Sequence, residues 1–213
     1  MDNTPHNIID AGIKVIDTGL KTLFKVNQAT RSYPAANLTE PHLTTQQQKQ
    51  AAGYMRVNHA GEIAAQALYQ GQQITARDLS IKQTMQAAGD EEIDHLVWCE
   101  QRLKELGSHT SYLAPLWFTG AFLIGTIAGI AGDKWSLGFL AETEKQVVEH
   151  LDSHLQGLPE HDTKSRAVVG QMREDEQQHA ETAIREGAAT LPKPIRHLMK
   201  LTAKIMTKTA YLV

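Results

Sequence analysis

Apolar residues along most of the chain recur at intervals of three and four positions, the spacing that places them on one face of an α-helix. Runs of β-branched residues typical of strands are few, so the pattern predicts an all-α protein. Helix-capping residues and helix breakers then divide the chain into four long helices. The first is predicted at Thr45–Thr75, and the second begins at a capping box formed by Ser80 and Gln83 and ends at Gly107. The third ends at Pro159, and the fourth begins near Asp162 or Ser165 and ends at Gly187.

Two shorter amphipathic stretches flank the long helices, one at residues 8–24 and one after Pro194. The second carries Lys200, Lys204 and Lys208 at helical spacing, so its predicted helix has a basic stripe.

Composition narrows the function classes. The 213 residues include 21 basic and 24 acidic side chains, and a net charge of −3 gives no general reason to expect nucleic-acid binding. Cys99 is the single cysteine, which excludes an internal disulfide, a thiolate zinc site and a four-cysteine iron–sulfur cluster. The first residues lack a basic start followed by an apolar core, so we expect no import signal and a reducing compartment.

Two segments repeat the pattern Glu-x-x-His, namely Glu92 with His95 and Glu176 with His179. On a helix such residues share a face, with their Cβ atoms about 5–6 Å apart, so each pair can bind one metal ion. One copy is common on a solvated helix surface. Here both copies lie on stripes that are otherwise apolar and that are predicted to face a core.

Two further carboxylates, Glu62 and Glu144, lie on apolar stripes of the first and third helices. Buried carboxylates without partners are strongly unfavourable, so four of them in one core require compensation. Two divalent ions would supply a charge of +4 against −4, with two neutral imidazoles completing the ligand set. Such oxygen-rich sites with some imidazole suit iron or manganese.

The spacing of the four glutamates supports this grouping. Glu62 and Glu92 are 30 positions apart and Glu144 and Glu176 are 32 apart, so antiparallel pairs would turn near residues 77 and 160. Turn-forming residues occur at both places. The same ligand list is typical of ferritin-like di-iron bundles. We therefore predict an all-α, ferritin-like four-helix bundle with flanking amphipathic helices.

The predicted domain organisation has three parts, with the bundle in the middle. They are an N-terminal amphipathic extension at 1–44, the di-iron bundle at 45–190 with the apolar connection 106–132, and a C-terminal amphipathic helix at 191–213 packing on or beside the bundle.

Other histidines are assigned smaller roles. His59 is predicted to be structural or to support a ligand, because Glu62 already fills the ligand position of its helix. His150 and His154 follow Glu144 and are candidates to support the ligands or to contact a substrate, although a surface position is more typical of His154.

The chain also carries the motif Arg-Val-Asn-His-Ala-Gly-Glu at residues 56–62. Together with the two Glu-x-x-His segments and Glu144, this motif resembles the demethoxyubiquinone hydroxylase family of ubiquinone biosynthesis, from about Gln46 to the end of the sequence. The resemblance implies a catalytic role for His150 in contact with the quinone. It also implies six iron ligands, which are Glu62, Glu92, His95, Glu144, Glu176 and His179.

The resemblance further implies a reaction, in which the ring of a polyprenylated methoxy-benzoquinol (demethoxyubiquinol) is hydroxylated with O₂ at two iron ions. The electron donor is left open between NADH, a separate reductase and the quinol itself. Association with other ubiquinone-biosynthesis proteins or with further copies of the chain is also left open.

The connection at 106–132 contains no Asp, Glu, Lys or Arg, and about 20 consecutive apolar residues have the length of a membrane span. One crossing would separate the two helix pairs and prevent the metal site from forming. Gly125 and Gly129 could instead serve close helix packing. We expect the connection to lie in the membrane interface, with packing inside the protein as the alternative. The expected location is peripheral, on the cytoplasmic side of a bacterial cell membrane.

Three other functions compete with hydroxylation. The principal one is a ferritin-like ferroxidase or iron-storage protein, against which the apolar connection counts. Peroxide reduction of the rubrerythrin kind normally requires a four-cysteine iron site, and Cys99 alone cannot form one. A non-catalytic quinone-binding scaffold with a structural metal site is the third.

Overall fold

The computed structural model describes residues 17–24, 28–39 and 42–213, and within these ranges it contains helices and no strands. Residues 17–24 are helical, whereas the rest of the predicted stretch 8–24 lies outside the described residues. Six helices follow, which confirms the all-α prediction. They are α1 Thr45–Thr75, α2 Leu79–Glu105, α3 Ala114–Ile130, α4 Asp133–Gly157, α5 Thr163–Arg185 and α6 Lys193–Leu212.

Most predicted helix ends agree with the structure, and one cap does not. The predicted capping box at Ser80 is wrong, because Asp78 is the N-cap of α2. The Asp78 carboxylate accepts hydrogen bonds from both the backbone N–H and the hydroxyl of Ser80, at 2.8 Å each. Ser80 is thus the residue that is capped. Between α4 and α5, Asp162 is the N-cap of α5 and its carboxylate accepts a hydrogen bond from the Ser165 N–H. The helix therefore begins where the sequence predicts it.

The bundle consists of two antiparallel helical hairpins. α1 pairs with α2, and α4 pairs with α5, with short turns at the two positions expected from the glutamate spacing. α3 connects the hairpins and packs along α1, while α6 returns to lie beside α1 and α4. The apolar core continues on both sides of the glutamates along the bundle axis.

Glycines allow the close packing of α3 on α1. A Cβ atom on Gly125 would overlap the carbonyl oxygen of Leu68, and one on Gly71 would overlap that of Phe122. Side chains at these positions would force the two helix backbones apart. Gly125 therefore serves close helix packing, one of the roles considered for it in the sequence.

Apolar side chains are exposed on α3 and α6, both of which pack against α1. We call this surface the α3–α6 apolar face, and its members include Leu116, Leu123, Ile124, Ile127 and Ile130 on α3 and Leu198, Leu201, Ile205 and Leu212 on α6. Within the described ranges, every helix is too short or too polar to cross a membrane.

Candidate metal centre

All six predicted ligands meet at the centre of the bundle, one or two from each of its four helices. Their ligand atoms form two overlapping groups, and within each group every atom lies within 4.8 Å of the others. One group is Glu62, Glu92, His95 and Glu176, and the other is Glu92, Glu144, Glu176 and His179. Glu92 and Glu176 belong to both groups, which is the arrangement expected of carboxylates that bridge two metal ions.

Both histidines direct the same ring nitrogen towards the carboxylates. Nδ1 of His95 lies 2.9 Å from Glu92 Oε2 and 3.2 Å from Glu176 Oε1. Nδ1 of His179 lies 3.1 Å from Glu176 Oε2 and 3.7 Å from Glu92 Oε1. The spacing of three residues produces the contact within each Glu-x-x-His segment, because it places both side chains on one helix face, whereas the other two contacts join α2 to α5.

Burial and neighbouring charged groups shift the pKa values of these side chains in the metal-free protein, and the direction differs from residue to residue. Burial, together with the neighbouring carboxylates, raises the pKa values of Glu92 and Glu144 well above the usual value. The two imidazoles outweigh burial at Glu176, whose pKa is lowered. His95 and His179 respond in the opposite direction, because hydrogen bonds to carboxylates outweigh burial. The pKa of His179 rises to about 9.

Several buried carboxylate oxygens of the cluster have no hydrogen-bond partner within the described part of the chain, so they are available as ligands for cations. Among the described residues, neither oxygen of Glu144 has a hydrogen-bond partner, and Oε1 of Glu92 has none. Glu144 is 1% exposed and Glu92 is fully buried. Orphaned carboxylate oxygens in a core are costly unless a metal ion or a proton compensates them. The cluster is therefore compatible with a di-iron site.

Two outer carboxylates were not predicted from the sequence. Nε2 of His95 lies 2.9 Å from Asp175 Oδ2, and Nε2 of His179 lies 3.2 Å from Glu91 Oε2. An outer carboxylate thus contacts Nε2 of each imidazole while Nδ1 faces the cluster, an arrangement typical of metal-binding histidines. Both carboxylates directly precede a predicted ligand, but neither lies on an apolar stripe, so periodicity gave no signal for them.

A cavity of about 700 Å³ leads from the protein surface to the cluster, between α1, α3, α4 and α6. Most of its wall is apolar, and three predicted ligands, Glu62, Glu144 and Glu176, lie at its inner end. Leu116 and Ile124 line the cavity and are also 59% and 41% exposed, so it opens at the α3–α6 apolar face.

Three residues of the cavity wall carry buried polar atoms that lack a hydrogen-bond partner among the residues described. Both amide atoms of Asn58, Nε1 of Trp117 and Nε2 of His150 are buried and lack a hydrogen-bond partner in the part of the chain described. All three residues line the cavity, while these atoms themselves are enclosed by the wall. His150 lines this cavity, and its catalytic role in contact with a quinone stays a prediction.

The other histidines differ from one another in their surroundings. His59 is buried and its Nε2 lies 3.4 Å from Glu100 Oε1, away from the predicted ligand groups. The surface position considered typical for His154 is wrong. His154 is 4% exposed, because its ring packs between His150 and Tyr54, with ring centroids 3.9 Å and 4.5 Å away.

Fold and centre together define a class: helical-bundle proteins with a buried carboxylate–histidine centre of four glutamates and two histidines. Comparison with known proteins then places the chain more closely. The sequence model of the family described as ubiquinone biosynthesis protein COQ7 matches residues 49–210, and the chain belongs to this family.

Curated relatives cover nearly the whole chain. A protein of Chromobacterium violaceum named 3-demethoxyubiquinol 3-hydroxylase is 52% identical over 206 residues, which are 97% of this chain and all of that protein. Proteins of the same name from Dechloromonas aromatica and Legionella pneumophila are 54% and 50% identical. These matches cover 92% and 97% of this chain, and 94% and 98% of the two relatives.

Proposed function

We propose that this chain is a 3-demethoxyubiquinol 3-hydroxylase, a di-iron monooxygenase that hydroxylates the ring of demethoxyubiquinol with O₂. The observation that carries the proposal is the apolar cavity that ends at Glu62, Glu144 and Glu176. A storage protein needs a polar path for ions, whereas an isoprenoid quinol needs an apolar one that reaches the metal centre. The cavity therefore favours hydroxylation over ferroxidase activity.

In this proposal Glu62, Glu92, His95, Glu144, Glu176 and His179 hold two iron ions. When bound in the ferrous state, these ions supply two electrons and activate O₂. One oxygen atom would enter a ring C–H bond as a hydroxyl group, and the other would take up two protons from the solvent and leave as water. The carboxylates balance the charge of the ions, and the bundle core excludes water from the reacting ring.

The wall residues orient the quinol. Asn58 and His150 line the cavity and carry buried polar atoms without a partner in the described structure, so a change of side-chain rotamer would let either residue hydrogen-bond the ring hydroxyl and methoxy oxygens. The apolar wall accommodates the start of the isoprenoid tail. This arrangement would place the ring beside the inner glutamates, where the reacting carbon has to lie.

We also propose that the protein binds peripherally to the cytoplasmic side of the bacterial cell membrane through the α3–α6 apolar face. The cavity opens at this face, so a lipid-dissolved quinol could enter without crossing water. Lys204 and Lys208 on α6 are exposed and would add electrostatic attraction of about 1 kcal/mol each on an anionic leaflet.

A single-turnover experiment tests the proposed reaction without assuming an electron donor. The iron-loaded protein is reduced, freed of reductant, mixed with a short-tailed demethoxyubiquinol and exposed to ¹⁸O₂. We expect hydroxylated quinol with one ¹⁸O atom from wild type, and a loss of at least 100-fold in Glu144→Gln. Glu142→Gln, two positions earlier on α4, serves as the control. Oxidised iron with unchanged quinol would support the ferroxidase alternative instead.

Vesicles of phosphatidylethanolamine and phosphatidylglycerol test the membrane proposal by co-sedimentation. Leu123 and Ile127 are 56% and 67% exposed, so replacing both with Asp should release the protein without unfolding it. Phe122 is unsuitable for this test because it packs against the core. Gln156→Asp, an exposed position on α4, controls for added charge. Unchanged sedimentation of the double variant would exclude the α3–α6 apolar face as the docking surface.

A further inference from the structure

A short segment before α1, residues 28–39, is attached to the outside of the candidate metal centre through Arg31. Nε of Arg31 lies 2.8 Å from Asp94 Oδ2 on α2, and one of its terminal nitrogens lies 2.9 Å from Asp175 Oδ2 on α5. Its guanidinium carbon lies 4.7 Å from the centroid of the Trp98 ring. One arginine therefore links the two helices that carry Glu-x-x-His segments.

The segment is fixed at this place by a second residue. The backbone N–H of Thr30 donates to Asp94 Oδ1 at 2.6 Å, and its hydroxyl lies 3.1 Å from Asp94 Oδ2. Asp94 is 1% exposed, so its charge requires these partners. Arg31 is consequently held in one orientation, with its charge beside Asp175.

Asp175 connects Arg31 to a predicted metal ligand. The same Oδ2 atom that contacts Arg31 lies 2.9 Å from Nε2 of His95, and a terminal nitrogen of Arg31 itself lies 3.4 Å from that Nε2. Because a guanidinium group only donates, Asp175 is the acceptor available to a proton on Nε2. To bind a metal through Nδ1, an imidazole must carry its proton on Nε2, and this proton needs an acceptor. Arg31 keeps the Asp175 carboxylate in place as that acceptor, by charge and by hydrogen bonding.

The second histidine has a weaker support. Nε2 of His179 lies 3.2 Å from Glu91 Oε2, and the Glu91 side chain is 47% exposed. The corresponding values at His95 are 2.9 Å and a partner that is 6% exposed. A solvated carboxylate is less restricted and its interactions are screened by water, so it fixes an imidazole less firmly. The two metal positions are thus supported to different degrees.

We infer that Arg31 is a positioning residue that acts through Asp175 on His95, and that it makes the Glu62–Glu92–His95–Glu176 position the tighter of two metal positions. The inference rests on the proposed metal centre. It assigns a role to a residue outside the four helices of the bundle, and it predicts an order of filling in which the His95 position is occupied first.

Titration of the metal-free full-length protein with Mn²⁺, followed by electron paramagnetic resonance at constant pH, tests this order. Wild type should show two affinities. Arg31→Gln should weaken the tighter one by about 10–100-fold, the range typical for loss of such outer support, and leave the weaker one within about twofold. Glu91→Gln should weaken the other position instead. Arg173→Gln removes another arginine–carboxylate pair between α4 and α5, a more exposed one to Asp152 at 2.8 Å, and should change neither affinity.

Thermal unfolding of the same variants without metal separates positioning from general stability. Equal weakening of both positions in Arg31→Gln, with a lower unfolding temperature than Arg173→Gln, would overturn the inference, because Arg31 would then be structural. Unchanged Mn²⁺ affinities in Arg31→Gln would overturn it as well. If wild type itself bound no Mn²⁺, the proposed metal centre would fail, which is a distinguishable result.

Discussion

Glu144 should stabilise the metal-loaded protein and destabilise the metal-free one. Its carboxylate is 1% exposed, and neither oxygen has a hydrogen-bond partner among the residues that the structure describes. Leaving a buried polar group unsatisfied costs about 1–3 kcal/mol. Glu144→Leu removes that group at similar volume, so with a chelator the variant should be about 1–3 kcal/mol more stable than wild type.

Metal should reverse this difference. A ligand that binds only the native state stabilises it by about 4.1 kcal/mol when its concentration is 1,000 times the dissociation constant, which exceeds the difference expected with chelator. Wild type gains this stabilisation, whereas Glu144→Leu should lose the ability to hold two ions. Excess metal should therefore make the variant the less stable protein, and its metal content should fall below two ions per chain.

Urea unfolding followed by circular dichroism, with chelator and with excess Fe²⁺ under anaerobic conditions, measures both values. Glu142→Leu is the matched control, because Glu142 is partly exposed and accepts from Gln146 at 2.7 Å. It should shift stability by about 0.5 kcal/mol or less in either condition. If Glu144→Leu were less stable than wild type in chelator, or retained two ions, the role assigned to Glu144 would be wrong.

Two further predictions concern packing and pH. Gly125→Ala should lower the free energy of unfolding by about 1–3 kcal/mol, because its Cβ would overlap Leu68 and push α3 away from α1. Gly120→Ala is the control, since a Cβ at Gly120 meets open space. Equal effects of the two substitutions in urea unfolding would contradict the packing argument. Burial and the neighbouring His150 lower the pKa of His154 to about 3 in the folded protein, so between that value and about 6.5 the unfolded chain binds the additional proton. The free energy of unfolding should therefore fall as the pH drops below about 6.5, and His154 should account for about 2 kcal/mol of this fall at pH 5. His154→Phe should have a flatter profile of unfolding free energy against pH. An unchanged profile would contradict the lowered pKa of His154.

Helical periodicity, the repeated Glu-x-x-His spacing and the family resemblance together indicated the six inner residues of the centre, because a carboxylate on an apolar stripe is conspicuous in a single helix. Register along the chain then paired the helices correctly. Arg31 and Asp175 could not be found in this way. Their contact joins residues far apart in sequence, and Arg31 lies in a segment without a helical period. His154 was misjudged for a related reason, because the residues that bury it come partly from α1.

The cavity was also beyond sequence reasoning, although its cause is topological. Two antiparallel hairpins of one register need a connection that runs the length of the bundle, and here that connection is α3. Gly71 and Gly125 let α3 lie close to α1, which leaves Leu116 and Ile124 both on the cavity wall and at the surface. A charged connection would join the hairpins equally well, but it would close the apolar route to Glu144. The apolar composition of α3 is therefore better explained by the substrate in the proposed reaction than by the requirements of the bundle.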